Sequence, residues 1–309
     1  MRRNIRRVPE PATAPESFRD AALRPYARSV RRHERALRRC RAHLSEKSVH
    51  DLRIATRRLL AQLELMQPLI PGRTFRRVRR RLKRQLRATA LLRDAQVQRL
   101  RVTGLLAAHP ELEPACRHLE RNERCLRRFA RRRLKGGGGL RRRLKAVGKS
   151  TALSLLGRNA ALRYRVSLRA AIRRASLRLE EFRRSPPRDG EGIHRLRICL
   201  RKFRYLVESI PAEVSALRPE EIRLIRTHLS LMGEIHDLDL LIARLQGIPT
   251  KRKRGQNGFE PIRRSLRRQY SAQVAAWRRR TRELFSGLDA MSEADPPFAQ
   301  QAMPHAATP

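Results

Sequence analysis

Aromatic side chains are scarce, 13 in 309 residues. Modules that read RNA bases or hold single strands rely on stacking platforms of Phe, Tyr and Trp. That design is disfavoured here, and no RRM, KH or zinc-finger signature is present. Cysteine is scarcer still. Cys40, Cys116, Cys125 and Cys199 form neither a CxxC pair nor a metal-ligand spacing with histidine, which argues against a disulfide scaffold or a zinc site and leaves reduced structural thiols. No run approaches the ~18–20 consecutive apolar residues of a membrane span. The basic start MRRNIRRVPE is followed by no apolar segment of a signal peptide. The expectation is a cytoplasmic protein with no membrane partner. Acidic residues are few as well: 28 Asp plus Glu face 74 Lys plus Arg, a formal net charge of +46. Only eight of the basic residues are Lys and 66 are Arg, whose planar fork matches phosphate. A phosphate-rich partner is expected.

Hydrophobic residues make up 40% of the chain, too many for a disordered polycation and enough for a core. They recur at three- and four-residue steps and β-branched residues are few, so the fold class is all-α. Breaks rich in Pro and Gly leave eight helical segments near residues 18–45, 48–67, 72–107, 114–135, 153–184, 190–210, 218–246 and 259–288. The organisation predicted is a flexible basic N-terminal tail at 1–16, a first four-helix half at 17–135 and a Gly-rich linker at 136–152. A second four-helix half at 153–288 and a flexible C-terminal tail at 289–309 complete it.

The halves repeat. VHDLRIATRRLLAQLE from Val49 aligns with IHRLRICLRKFRYLVE from Ile193 at an offset of 144, pairing His50 with His194, Leu52 with Leu196, Arg53 with Arg197, Ile54 with Ile198, Arg57 with Arg201 and Glu64 with Glu208. LLRDAQV around Asp94 matches EIHDLDL around Asp237 at an offset of 143. A duplicated four-helix unit explains both.

With 100° per residue and His50 at zero, Arg53 falls at about 300° and Arg57 at about 340°, while Leu52, Leu59, Leu63 and Met66 gather at about 160–220°. One face packs and the other is a cationic ladder. In the second copy His194, Arg197, Arg201 and Arg204 share a stripe opposite Leu196, Phe203, Val207 and Ile210. Arginines this close repel unless an anion or a carboxylate lies between them. A merely solvated stripe is the plain alternative, but two unrelated solvated faces have no reason to agree. Ser48 with Asp51 resembles a capping box and would start the first motif helix. Asp94 and Asp237 read as supporting carboxylates that hold guanidiniums in place. His236, Asp237 and Asp239 are too few on one helix to surround an ion, so no metal and no cofactor is assigned. The third helix of each half carries its own ladder, Arg76, Arg80, Lys83 and Arg87 in the first and Arg223, Arg226 and His228 in the second; if it faces the motif helix, both line one groove. Lys251, Arg252, Lys253 and Arg254 add a basic loop.

The motifs VHDLRIATRRL and IHRLRICLRKFRYL, with the paired RDAQV and HDLDLL segments, resemble the CHAD domain, the conserved histidine α-helical domain, over residues 18–288. The resemblance implies two four-helix bundles related by a pseudo-two-fold, with a basic channel or groove that binds inorganic polyphosphate. It also implies association with polyphosphate granules. The ligands it implies are His50, Arg53, Arg57 and Arg58 in the first copy, and His194, Arg197, Arg201, Lys202 and Arg204 in the second. Leu60 and Ala61 stand where the second copy has Arg204 and Tyr205, so the first half would contact fewer phosphates. The triphosphate-hydrolysing CYTH domain that often accompanies the family needs strands and an ExExK signature, and neither is read here.

The function expected is therefore non-enzymatic polyphosphate binding. Sequence-independent contact with DNA or RNA phosphates is the alternative that the charge allows. A phosphohydrolase reading of the His50–Asp51 pair fails at the second copy, where Arg195 replaces the aspartate. Oligomeric state is not legible in the sequence.

Overall fold

The computed structural model describes residues 18–135, 138–156, 159–210, 218–248 and 259–293, and the regular structure among them is entirely helical. The α-helices are α1 (Phe18–His43), α2 (Glu46–Leu65), α3 (Gly72–Ala88), α4 (Ala90–Leu105), α5 (Glu113–Lys135), α6 (Gly138–Ser154), α7 (Ala160–Arg184), α8 (Gly190–Val207), α9 (Pro219–Gln246) and α10 (Glu260–Glu293), with 3-10 turns at Gln67–Leu69 and Pro110–Leu112. Residues 1–17 and the basic run Lys251–Arg254 lie outside the described residues.

The all-α class holds, but the helices differ from the sequence reading in three places. The segment predicted at 72–107 divides at Thr89 into α3 and α4. The stretch read as a linker at 136–152 is helical from Gly138 as α6. The last helix runs to Glu293, past the expected start of the tail. In α6 an apolar stripe at Leu140, Leu144 and Val147 outweighs its two leading glycines, which fall in the first turn. All three side chains are buried with Tyr26 of α1 and Phe75, Val78 and Leu82 of α3. The Tyr26 hydroxyl donates to the Leu144 carbonyl at 2.8 Å and anchors the helix.

The turn from α1 to α2 sets where the first motif begins. Leu44 adopts a left-handed backbone with φ of 48°, a conformation that costs a β-carbon-bearing residue ~1 kcal/mol or more. Burial of its side chain and acceptance of a hydrogen bond from Gln96 Nε2 by its carbonyl hold it there. The cap is Ser45, whose Oγ accepts from the Ser48 amide, so the capping serine is not Ser48. The second motif helix starts from Asp189, whose carboxylate accepts from the Gly192 amide at 2.6 Å.

Four apolar clusters fill the interior, and two join the halves of the chain. One continues from Ala61 and Leu65 of α2 into α7, α8, α9 and Trp277 of α10. Another packs Val102 of α4 and Leu119 of α5 on Leu238 and Leu241 of α9 and Ile262 of α10. The predicted packing faces of the motif helices, Leu52, Leu59, Leu63 and Met66 and then Leu196, Phe203, Val207 and Ile210, are all buried. Because α6 belongs to the core, Leu144→Ala should destabilise the protein by about 2–5 kcal/mol. Urea unfolding followed by circular dichroism measures this, and a change below about 0.5 kcal/mol would mean that α6 is only a tether.

Candidate functional site

Helices α2 and α8 pack against each other, and their cationic stripes meet along the contact. Arg53 and Arg57 of α2 and Arg197 and Arg201 of α8 lie within electrostatic reach of one another. Burial is the first cause that lowers the pKa of each. It brings Arg53 down to about 10 and Arg201 down to about 9, and neighbouring guanidiniums push in the same direction. All four remain charged at neutral pH, so the cluster is held positive in a poorly solvated place. Tyr205 sits among them, fully buried, hydrogen-bonded to Arg57 and with the Arg204 guanidinium 4.7 Å above its ring centroid.

Two carboxylates reach this cluster. Burial first, and then the charge of Asp237, raise the Asp94 carboxyl against the pull of Arg53, Arg93 and Arg197. Asp237 bonds Arg101 at 3.3 Å and also faces Arg197. The two carboxylates are outnumbered by the four guanidiniums.

The arginines are held by the helix that each crosses. Arg53 Nη1 donates to the Leu86 carbonyl at 2.8 Å and to Thr89 Oγ1 at 3.3 Å. Those acceptors exist because α3 ends at Thr89, so the break in the third helix seats the arginine. Across α9, which is unbroken, Arg197 passes over Gly233, where a β-carbon would stand 3.4 Å from its Nη2. Thr89 and Gly233 differ by the same 144 residues as Arg53 and Arg197.

At one end, the His194 and His236 rings stack with centroids 4.3 Å apart. Together with Asp239 and Tyr270 they line a hollow of about 200 Å³. Burial, then His194, Arg197 and Arg201, lower His236 to about 4; burial and the same two arginines lower His194. His50 lies at the other end beside Arg93, with its pKa lowered by burial and by that arginine.

The family model for the CHAD domain matches residues 21–246. The chain belongs to the CHAD domain family. Among solved structures it is similar to the CHAD domain from the plant Ricinus communis, at a TM-score of 0.60 and 17% identity over 89% of this chain and 92% of that one. It is also similar to PptA from Streptomyces chartreusis, at a TM-score of 0.58 and 17% identity over 87% and 99%. At this identity the likeness shows the fold. No curated protein matches the sequence.

Within this CHAD fold the other predicted ligands meet carboxylates first. Arg58 of α2 pairs with Glu208 of α8 at 3.7 Å, and Lys202 of α8 pairs with Glu64 of α2 at 2.8 Å. These ion pairs are reciprocal, since each joins one motif to the other at matching positions. Glu208 also takes Arg204 and Arg226, and Glu64 takes Arg79. Arg76, Arg80, Lys83, Arg87 and Arg223 are exposed; of these Lys83 lies near Lys202, and Arg87 lines a separate hollow. His228 is buried and does not belong to a ladder. Sequence reasoning gave no role to Arg93, Tyr205, Glu64 or Glu208. The identity of the two glutamates across the repeat was the available signal.

His33, His50, His194, His228 and His236 all have lowered pKa values, led in each case by burial. They take up protons less readily in the folded protein than in the unfolded chain, so stability is complete above pH ~6.5 and falls as pH drops toward the folded values. Asp94, raised by burial, opposes this at lower pH. Urea midpoints measured without ligand should decrease from pH 7 to 5, and less steeply in His236→Asn. A flat profile would mean that these imidazoles are solvated.

Proposed function

We propose that this CHAD protein binds inorganic polyphosphate along the α2–α8 contact, as a non-enzymatic binder associated with cytoplasmic polyphosphate granules. The observation that carries this reading is the cluster of Arg53, Arg57, Arg197 and Arg201, four partly buried guanidiniums facing two carboxylates. Like charges are brought together out of water at a cost unless an anion compensates them. A chain of phosphates, with about one charge per unit, supplies that compensation at regular spacing, and guanidinium forks bind phosphate oxygens in pairs. Family membership supports the same ligand. Guanidiniums bind and orient phosphate without supplying a nucleophile or a general base, which fits binding rather than hydrolysis.

The reciprocal pairs Arg58–Glu208 and Lys202–Glu64 support a pseudo-two-fold between the motif helices, since in a two-fold contact residue i meets j and j meets i. A site of that symmetry presents the same donors to a chain entering from either end. Inorganic polyphosphate has no direction, whereas a nucleic-acid strand does. This favours polyphosphate over a sugar–phosphate backbone as the ligand of the central groove.

Arg57→Ala and Arg201→Ala should each cost about 2 kcal/mol of polyphosphate binding, roughly 30-fold in Kd. Removing Lys251–Arg254 should cost far less. A titration of labelled long-chain polyphosphate at about 0.15 M salt, competed with duplex DNA at matched phosphate, measures both the losses and the preference. Equal losses in all variants, or displacement by DNA at parity, would show that bulk charge governs binding.

A further inference from the structure

A second concavity, of about 460 Å³, lies where α3, α5 and α6 meet. Arg81, Arg84 and Arg87 of α3 and Arg133 and Phe129 of α5 line it, above the buried Leu140, and no carboxylate is among its described lining residues. Phe129 is 37% exposed, more than the other Phe, Tyr and Trp side chains among the described residues. The Arg133 guanidinium lies over the Phe129 ring, 5.1 Å from its centroid, so a stacked cation–aromatic pair stands at the edge of the hollow.

This combination differs from the central cluster in kind. Inorganic polyphosphate has no apolar face and gains nothing from Phe129. A planar base that carries phosphate can use both parts: the base stacks on the Arg133–Phe129 pair and the phosphate reaches Arg84 and Arg87. We propose that the α3–α5–α6 hollow is a second site, separate from the polyphosphate groove, that takes a nucleobase together with its phosphate. The source is either a single-stranded nucleic acid or a free nucleotide.

The test uses the full chain at about 0.15 M salt with two labelled probes, a short single-stranded DNA and an abasic strand with the same number of phosphates. Subtracting the abasic strand removes phosphate contacts made anywhere on this basic surface. The base-bearing strand should bind about fivefold more tightly, the lower end of what one stacked base contributes. Phe129→Ala should erase that preference and leave polyphosphate affinity unchanged, and Phe129→Tyr, which keeps the ring, should retain it. Displacement of the base-dependent component by adenosine monophosphate identifies a nucleotide site; resistance to it with displacement by unlabelled strand identifies a strand site. Equal binding of the two probes, or a preference that survives in Phe129→Ala, would overturn the proposal. A parallel loss of polyphosphate affinity in Phe129→Ala would also overturn it, because the hollow would then be part of the phosphate path.

Discussion

The structure depends on one constraint: guanidiniums from two helices are forced into the same partly buried seam. Arg53 and Arg57 on α2 face Arg197 and Arg201 on α8, and burial lowers the pKa of each. Repulsion would part the helices if only charge acted. The opposite faces prevent it, because Leu52, Leu59, Leu196 and Leu200 are fully buried in the apolar clusters behind. The reciprocal ion pairs Arg58–Glu208 and Lys202–Glu64 clamp the seam from its sides. A fixed positive centre results, with its desolvation already met by folding.

Local irregularities in the surrounding helices serve that centre. The break at Thr89 exposes the Leu86 carbonyl to Arg53, and Arg197 lies against Gly233 of an unbroken helix. Leu44, held in a left-handed turn by Gln96, sets the start of α2 and with it the position of every motif side chain on that helix.

Charge outside the seam is organised differently. Along α3, Arg76, Arg80, Lys83 and Arg87 point outward, where salt and water screen them. They raise the general field that draws any polyanion to the surface. Selectivity has to come from places where donors are fixed and partly dry, the α2–α8 seam above all. The arginine-lined hollow around Phe129 adds an apolar surface that the seam lacks.

The all-α class, the packing faces of α2 and α8, and the arginines that the structure brings together at their contact were legible in the sequence, because helical periodicity and matching motifs 144 residues apart are local or one-dimensional signals. The repeat even marked Glu64 and Glu208, though not what they hold. Tertiary structure decided the rest. Whether Gly136–Gly139 tethers or a helix follows depended on whether Leu140, Leu144 and Val147 found Tyr26 and Leu82 across the core. Which cations stay available to an anion depended on which carboxylate each meets, and Arg58 and Lys202 meet theirs on the other half of the chain. Burial, the cause that sets apart a buried guanidinium from dozens of solvated ones, belongs to no single helix and exists only once α2 and α8 have packed.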